Sequence, residues 1–348
     1  MLREIGGRAV GEGYPAFVIA EIGLNHGGSV ERARELVDAA ASTGASAIKL
    51  QTLYADRLVS ASCPAPAHVQ AASLRDFFAR FELDAAAHRA VVARAREHGL
   101  AVMTTPFAED VLPMLETLQL DAYKIASGDL TYDGLIQCAA STGRPVVLST
   151  GMSNLSAIVH AVGAARRGGA EAIGLLHCVS AYPTPAAAQN LRAIQTLREF
   201  FQLPVGLSDH GSGLTSAIAA AALGACIYER HLVLDRDDMA IDRAVSSTPE
   251  ELKAIVAAME EARLSLGDGI KRCQPAEATN VIASRRGLYA KRKIRAGESI
   301  GRADVIALRP CTDVAPSQVD ELVGATLLRD MAPGAPFVRT DLPSGRAA

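Results

Sequence analysis

Several features that would settle the class of this chain at once are missing. No run approaches the ~20 consecutive apolar residues that cross a bilayer as a helix. The opening MLREIGGRAV has no apolar core of the kind that marks a secretory signal. Charge of one sign is not in excess: 35 Lys and Arg stand against 38 Asp and Glu, a net of −3. That gives no case for nucleic acid or an acidic membrane surface as partner. The six cysteines, at 63, 138, 178, 226, 273 and 311, form no CxxC and no dense framework. Cys178 and Cys226 sit inside apolar runs, where thiols behave as small core residues. A reducing, cytoplasmic setting is therefore expected. No GxGxxG follows the first apolar run, which argues against a dinucleotide fold.

What is present is a long alternation. With 348 residues, 49% of them hydrophobic, the chain can fill a large core plus an appendage. Strand-like runs recur at 16–23, 45–52, 100–107, 121–128, 145–151, 172–179, 203–210 and 225–232. Helical segments lie between most of them: VERARELVDAAASTG, with Ser29 placed to cap it and Gly44 to stop it, AAAHRAVVARAREHG, AEDVLPMLETLQ and LSAIVHAVGAARRGG. Near-continuous apolar strands alternating with helices predict a parallel sheet covered on both faces. Eight such units in about 250 residues predict a closed (β/α)8 barrel of the TIM type. Residues 53–84 form an irregular excursion containing Pro64 and Pro66, with no helix expected before LRDFFARF.

The barrel is expected over 1–268, followed by a polar linker over 269–284. From 285 to 348 short strands and Gly/Pro turns dominate, predicting a small, mostly β domain. Charge divides with it: 11 basic and 7 acidic residues from Arg285 onward, 24 and 31 before it.

Polar residues at the C-terminal ends of barrel strands read as an active site. In chain order these are Glu21, Asn25 and His26; Lys49 and Gln51; Thr104 and Thr105; Lys124 and Ser127; Ser149 and Thr150; His177, Ser180 and Tyr182; Ser208, Asp209 and His210; Glu229 and His231. His210 and His231 end the last two strands, so neighbouring strands bring two imidazoles to one mouth. Such a pair can hold a divalent cation such as Mn2+; the plainer alternative is two hydrogen-bonded histidines at a rim. Lys49 and Lys124 lie within apolar strands. They suit a phosphate clamp with nearby hydroxyls, a Schiff-base lysine, or lysines snorkelling at the rim. Two lysines together with Thr105, Ser127, Ser149 and Ser208 favour the clamp. A cation would polarise a carbonyl, and Glu21 could act as acid or base. The set suits bond formation between a phosphorylated nucleophile and an aldehyde.

AEIGLNHGG, IKLQT, TTPF, YKIASGDL, LSTGM, LLHCVSAYPTP, GLSDH, ERHLVLDR and RRGLYAKRKIRAGE…LRP stand in the order in which the N-acetylneuraminate (sialic acid, nonulosonic acid) synthase family carries them. The chain resembles that family over nearly its whole length. The resemblance implies a TIM barrel followed by an antifreeze-like (SAF) domain, in a domain-swapped homodimer. It implies condensation of phosphoenolpyruvate with an N-acyl amino-sugar aldehyde and water, releasing phosphate by C–O cleavage with the help of Mn2+ or Mg2+. N-acetylmannosamine is the first expected acceptor. The sugars leading to legionaminic or pseudaminic acid, or a 6-phosphosugar giving a 9-phosphate, are the alternatives. By the same resemblance His210 and His231 match metal ligands. Lys49, Thr105, Lys124, Ser127, Ser149 and Ser208 match the phosphoenolpyruvate site, and Glu21 the catalytic carboxylate. Gln51, Tyr182 and Asp242 match sugar contacts, and Arg309 an arginine that the partner's small domain lays over the acyl group. Ser180 replaces an Asn common in sialate synthases, and RPCTDVAP replaces RPGxG; both bear on the acceptor rather than the reaction. A Schiff-base aldolase and a non-catalytic sugar-binding barrel are the competing classes.

Overall fold

A computed structural model of the chain describes residues 2–65 and 71–343. Pro66 and the last five residues of the expected small domain lie outside them. The chain divides into two compact units, Met1–Gly267 and Asp268–Ala348.

The first unit opens with a short antiparallel pair, β1 (Glu4–Ile5) and β2 (Arg8–Ala9). Eight parallel strands then close into a barrel: β3 (Phe17–Gly23), β4 (Ala47–Thr52), β5 (Ala101–Pro106), β6 (Ala122–Ile125), β7 (Val146–Ser149), β8 (Ile173–Cys178), β9 (Val205–Asp209) and β10 (Ile227–His231). β10 pairs with both β9 and β3, which completes the ring. The helices are α1 (Val30–Ala41), α2 (Ala55–Leu58), α3 (Leu74–Ala79), α4 (Ala85–Glu97), α5 (Leu112–Glu116), α6 (Asp133–Ser141), α7 (Leu155–Arg167), α8 (Ala193–Phe201), α9 (Thr215–Ala222) and α10 (Pro249–Leu266).

Local chemistry explains where these helices begin and what they bury. Ser29 caps α1, its hydroxyl accepting from the Arg32 amide, and Ala33, Leu36, Val37 and Ala40 form one buried stripe. Gly44, at φ +85°, takes the turn after it that a side chain would resist. Thr248 and Glu251 form a capping box at the start of α10, with Pro249 at its first position. The excursion over 53–84 departs from expectation at one point: α2 makes a single turn there, before α3.

Residues alternate inward and outward along each strand, and this parity builds the core. The outward residues, among them Val18, Ala20, Ile22, Ile48, Leu50, Val102, Tyr123, Ile125, Val146 and Leu148, pack under the helices. Inside the barrel a lower level is apolar: Phe17, Ile19, Ala47, Ala101, Met103, Ala122, Val147, Leu176 and Ile227. Leu2, Ile5 and Val10, from the β1–β2 hairpin, join that cluster. A Cβ built on Gly174 of β8 would meet Leu2 Cδ2 at 2.9 Å. The hairpin therefore forms the floor of the barrel, a part no sequence signal announced.

The second unit pairs β11 (Gly287–Ala290) with β12 (Val305–Leu308), antiparallel. Its own core holds Leu288, Ala290, Ile294, Ile300, Val314, Leu322, Leu327, Met331 and Phe337. Two short helices belong to it, α11 (Ala278–Ser284) and α12 (Val319–Leu322). α11 lies within the segment expected as a plain linker.

Candidate active site

One inward position per strand, a step above the apolar level, is filled as follows: Glu21, Lys49, Thr105, Lys124, Ser149, Cys178, Ser208 and Glu229. All are buried. The ring holds two cations and two carboxylates, because a buried charge persists only when paired. Lys49 Nζ contacts Glu21 Oε2 and lies 3.8 Å from Glu229 Oε2. It also donates to Thr105 Oγ1 at 3.2 Å. Lys124 Nζ donates to Glu229 Oε1 at 3.2 Å, and Ser208 Oγ donates to the same oxygen at 2.9 Å. Gln51 Nε2 donates to Glu21 Oε1 at 3.3 Å. Ser149 Oγ is buried with no hydrogen-bond partner.

The two carboxyls are pushed apart in proton affinity. Burial raises the pKa of Glu21, Lys49 only partly offsets this, and Glu229 adds repulsion. Burial acts on Glu229 as well, but Lys124 and Lys49 together hold it below the usual carboxylate range. The lysines diverge too. Burial lowers Lys124, whereas for Lys49 the attraction of Glu21 and Glu229 outweighs burial and raises it. Pairs driven apart in this way mark acid and base assignments.

His210 and His231 keep the same inward parity, two residues beyond Ser208 and Glu229, and their rings face each other with centroids 5.6 Å apart. His210 Nδ1 lies 3.1 Å from the Val179 carbonyl. A carbonyl only accepts, so Nδ1 carries the hydrogen. His231 Nδ1 is buried without a hydrogen-bond partner; Asp242 Oδ2 stands 3.5 Å away. Burial lowers the His231 pKa to about 4, which keeps the ring neutral as a ligand must be. The Tyr182 ring stacks on His210 at 4.1 Å between centroids. Ser127 Oγ accepts from the Gly151 amide at 3.0 Å. A Cβ at Gly151 would meet Ser180 Oγ at 2.5 Å and Ser127 Oγ at 2.7 Å, so the two serines converge on that glycine.

Of the residues expected at the strand ends, the ring and its rim therefore unite Glu21, Lys49, Gln51, Thr105, Lys124, Ser127, Ser149, Ser180, Tyr182, Ser208, His210, Glu229 and His231, and Asp242, matched by the resemblance alone, stands beside His231. Six others of opposite parity, or beyond the strand end, face elsewhere. Thr104 bonds Thr52 Oγ1 at 2.8 Å, and Thr52 bonds His88 Nε2 at 2.9 Å. Thr150 donates to the Leu176 carbonyl. His177 lies 2.7 Å from the Gln189 carbonyl, and with Met152, Ser180 and Arg192 it lines an outer groove of about 660 Å³. Asp209 is held by Ser216 and Tyr228. His26 is fully buried, its Nδ1 accepting from the Gly28 amide at 3.0 Å. Asn25 acts as a staple: Nδ2 donates to Leu232 O (2.8 Å) and Ser246 Oγ (3.0 Å), and Oδ1 accepts from the Asp242 amide (3.1 Å). Arg309 lies exposed in the second unit. Cys178 was expected only as core filling, yet its Sγ comes 3.8 Å from His210 Nδ1; counting parity back from His210's partner strand would have found it.

Known proteins share this arrangement of domains. The model of the NeuB family matches residues 36–271, and that of the SAF domain residues 285–343. The N,N'-diacetyllegionaminic acid synthase of Legionella pneumophila is 34% identical over 333 residues, 93% of this chain and 94% of that protein. The enzyme of the same name from Campylobacter jejuni is 33% identical over 314 residues, 88% of this chain and 94% of that one. Among solved structures, the N-acetylneuraminic acid (sialic acid) synthetase of Leptospira borgpetersenii, in complex with citrate, aligns with a TM-score of 0.73 at 33% identity. It covers 80% of this chain and 94% of that one.

Proposed function

This chain belongs to the NeuB family and carries a SAF domain, and from that premise we propose that it is a nonulosonic acid synthase. It condenses phosphoenolpyruvate with an N-acyl amino-sugar aldehyde and water, and releases phosphate. The observation that carries this reading is the buried ring of two lysines, two carboxylates and three hydroxyls directly beneath a pair of neighbouring imidazoles.

Each residue then has a task. Lys49 and Lys124 exchange their carboxylate partners for the phosphate and carboxylate of phosphoenolpyruvate. Thr105, Ser127, Ser149 and Ser208 supply hydroxyls, and the partnerless Ser149 Oγ gains one. Glu229 keeps the lysines aligned between turnovers. Glu21, the carboxyl with raised proton affinity, moves the proton at the attacking water or a sugar hydroxyl. Gln51, Tyr182 and Asp242 contact the sugar, with Ser180 beside them.

The histidines fit a divalent ion, Mn2+ or Mg2+. His210 has its Nδ1 turned to a carbonyl, which would leave Nε2 for the ion, and His231, whose Nδ1 has no hydrogen-bond partner, would be the second ligand. When bound, the ion supplies Lewis-acid polarisation of the aldehyde. In the balanced reaction, C3 of phosphoenolpyruvate bonds to the aldehyde carbon, water adds at C2, and the C2–O bond to phosphate breaks. The partner subunit's Arg309 covers the acyl group in a domain-swapped homodimer. Six unbridged cysteines suit the reducing cytoplasm, and no helix of the described residues is long and apolar enough to cross a membrane.

The two relatives named for diacetyllegionaminic acid put a 2,4-diacetamido sugar ahead of N-acetylmannosamine as acceptor. The test is phosphate release from phosphoenolpyruvate with Mn2+, run with N-acetylmannosamine, its 6-phosphate and a 2,4-diacetamido-trideoxyhexose, beside His210→Ala. Release with one sugar, lost in the variant, establishes the reaction and its acceptor. A folded protein that releases phosphate with none of them overturns the proposal for these sugars. Light-scattering mass in the same buffer tests the dimer.

A further inference from the structure

We propose that Arg230 is a positioning residue that sets the separation of His210 and His231, acting from the outer face of the barrel. The inference rests on the reading of that pair as a divalent-cation site. Arg230 and Asp209 immediately precede the two histidines and stand directly opposite each other in the β9–β10 register. Strand parity turns both away from the ring, and each is only 3% exposed. His210 lies one residue past the end of β9, so the sheet ladder does not fix it. Thr184 N holds its carbonyl at 2.8 Å, and the guanidinium holds the backbone on either side. Arg230 Nη1 donates to the Gly211 carbonyl at 2.6 Å and to the Asp209 carbonyl at 3.3 Å.

The same guanidinium reaches the other histidine. Its Nε donates to Ser247 Oγ at 3.0 Å. The Ser247 amide donates to the His231 carbonyl at 2.8 Å, and the Ser247 carbonyl accepts from the Val233 amide at 3.0 Å. One unbroken hydrogen-bonded path therefore runs from the backbone flanking His210, through the planar fork of Arg230, to the backbone flanking His231. Asp209 anchors it. Its Oδ1 accepts from the Gly211 amide (2.7 Å), and its Oδ2 from Ser216 Oγ (2.6 Å) and Tyr228 Oη (2.7 Å), with Arg230 Nη1 at 3.6 Å. A buried ion pair contributes little net stability over an apolar pair of the same volume. A satisfied polar network does impose one geometry, and lysine cannot reproduce a fork that bonds in two directions.

The experiment titrates Mn2+ into the metal-free, full-length protein and follows free Mn2+ by electron paramagnetic resonance. Wild type, His210→Ala, Arg230→Lys and Ser247→Ala are compared, and the shift in melting temperature produced by inorganic phosphate is recorded for each. Wild type should bind one ion that His210→Ala does not. Arg230→Lys should bind it roughly 10- to 100-fold more weakly, in the range of outer-shell substitutions, and Ser247→Ala more weakly by a smaller factor. The phosphate-induced shift, which reports the lysine ring, should stay at its wild-type size in both. Wild-type Mn2+ affinity in folded Arg230→Lys and Ser247→Ala overturns the inference while the cation site stands. Undiminished binding in His210→Ala overturns the cation site and the inference with it. Should Arg230→Lys fail to fold, Ser247→Ala decides alone.

Discussion

Glu229→Gln removes one charge from the ring and almost no volume. The carboxylate lies 3.2 Å from Lys124 Nζ and 3.8 Å from Lys49 Nζ. At an effective dielectric constant of ~20 each contact is worth roughly 4–5 kcal/mol of Coulomb attraction. Relief of repulsion on Glu21 returns part of that. Breaking a buried pair from one side costs about 3–5 kcal/mol in measured cases. For a unit of this size, ~2–4 °C per kcal/mol translates the loss into a melting temperature roughly 6–20 °C lower. The same change leaves the ring with a net charge of +1 and frees Lys124 for an anion. Inorganic phosphate at about 100 times its dissociation constant stabilises by ~2.7 kcal/mol, so it should restore most of the loss. The assay is thermal unfolding, with and without phosphate, of wild type and variant. An unchanged melting temperature, or a phosphate shift no larger than in wild type, would refute the view that Glu229 neutralises both lysines.

Removing either imidazole, His210→Ala or His231→Ala, should weaken Mn2+ binding and lower kcat by at least ~100-fold, measured by phosphate release at saturating Mn2+. Gly151→Ala should raise the KM for phosphoenolpyruvate more than it lowers stability, because its Cβ meets the hydroxyls of Ser180 and Ser127; overpacking of this kind costs about 1–3 kcal/mol. Acid should destabilise the barrel through His26, which burial holds neutral with a pKa lowered from 6.5 to about 4. A histidine with a depressed folded pKa contributes stability above its unfolded value, and that contribution is lost as pH falls from about 6.5 toward 4. The loss reaches about 3 kcal/mol, with His88, also lowered by burial, acting in the same direction. Urea midpoints at pH 7 and pH 4.5 measure it, and His26→Asn should flatten the dependence.

The eight strands were legible because each is buried on both faces and reads as an apolar run; the helices were legible from stripes and caps. Parity was the step left untaken. Thr104 and Thr105, Ser149 and Thr150, or Ser208 and Asp209 are equal candidates as neighbours in sequence, yet one of each pair points into the ring and the other under a helix. Anchoring the count on Lys49 and Lys124, cations that need inward partners, would have separated them. The staple made by Asn25 was out of reach for another reason: its partners Leu232, Asp242 and Ser246 are more than 200 residues away, and only closure of the barrel brings them together. The β1–β2 floor escaped because two-residue strands carry no periodicity.

That floor has a kinetic consequence. With Leu2, Ile5 and Val10 filling the lower end of the barrel, the lysine ring lies between that floor and the histidines, and depth becomes order. A ligand at the level of the lysines lies beneath whatever occupies the histidines, so it must arrive first and depart last. Initial-rate patterns should then be those of compulsory loading, with phosphate competing against the deep substrate and not against the sugar.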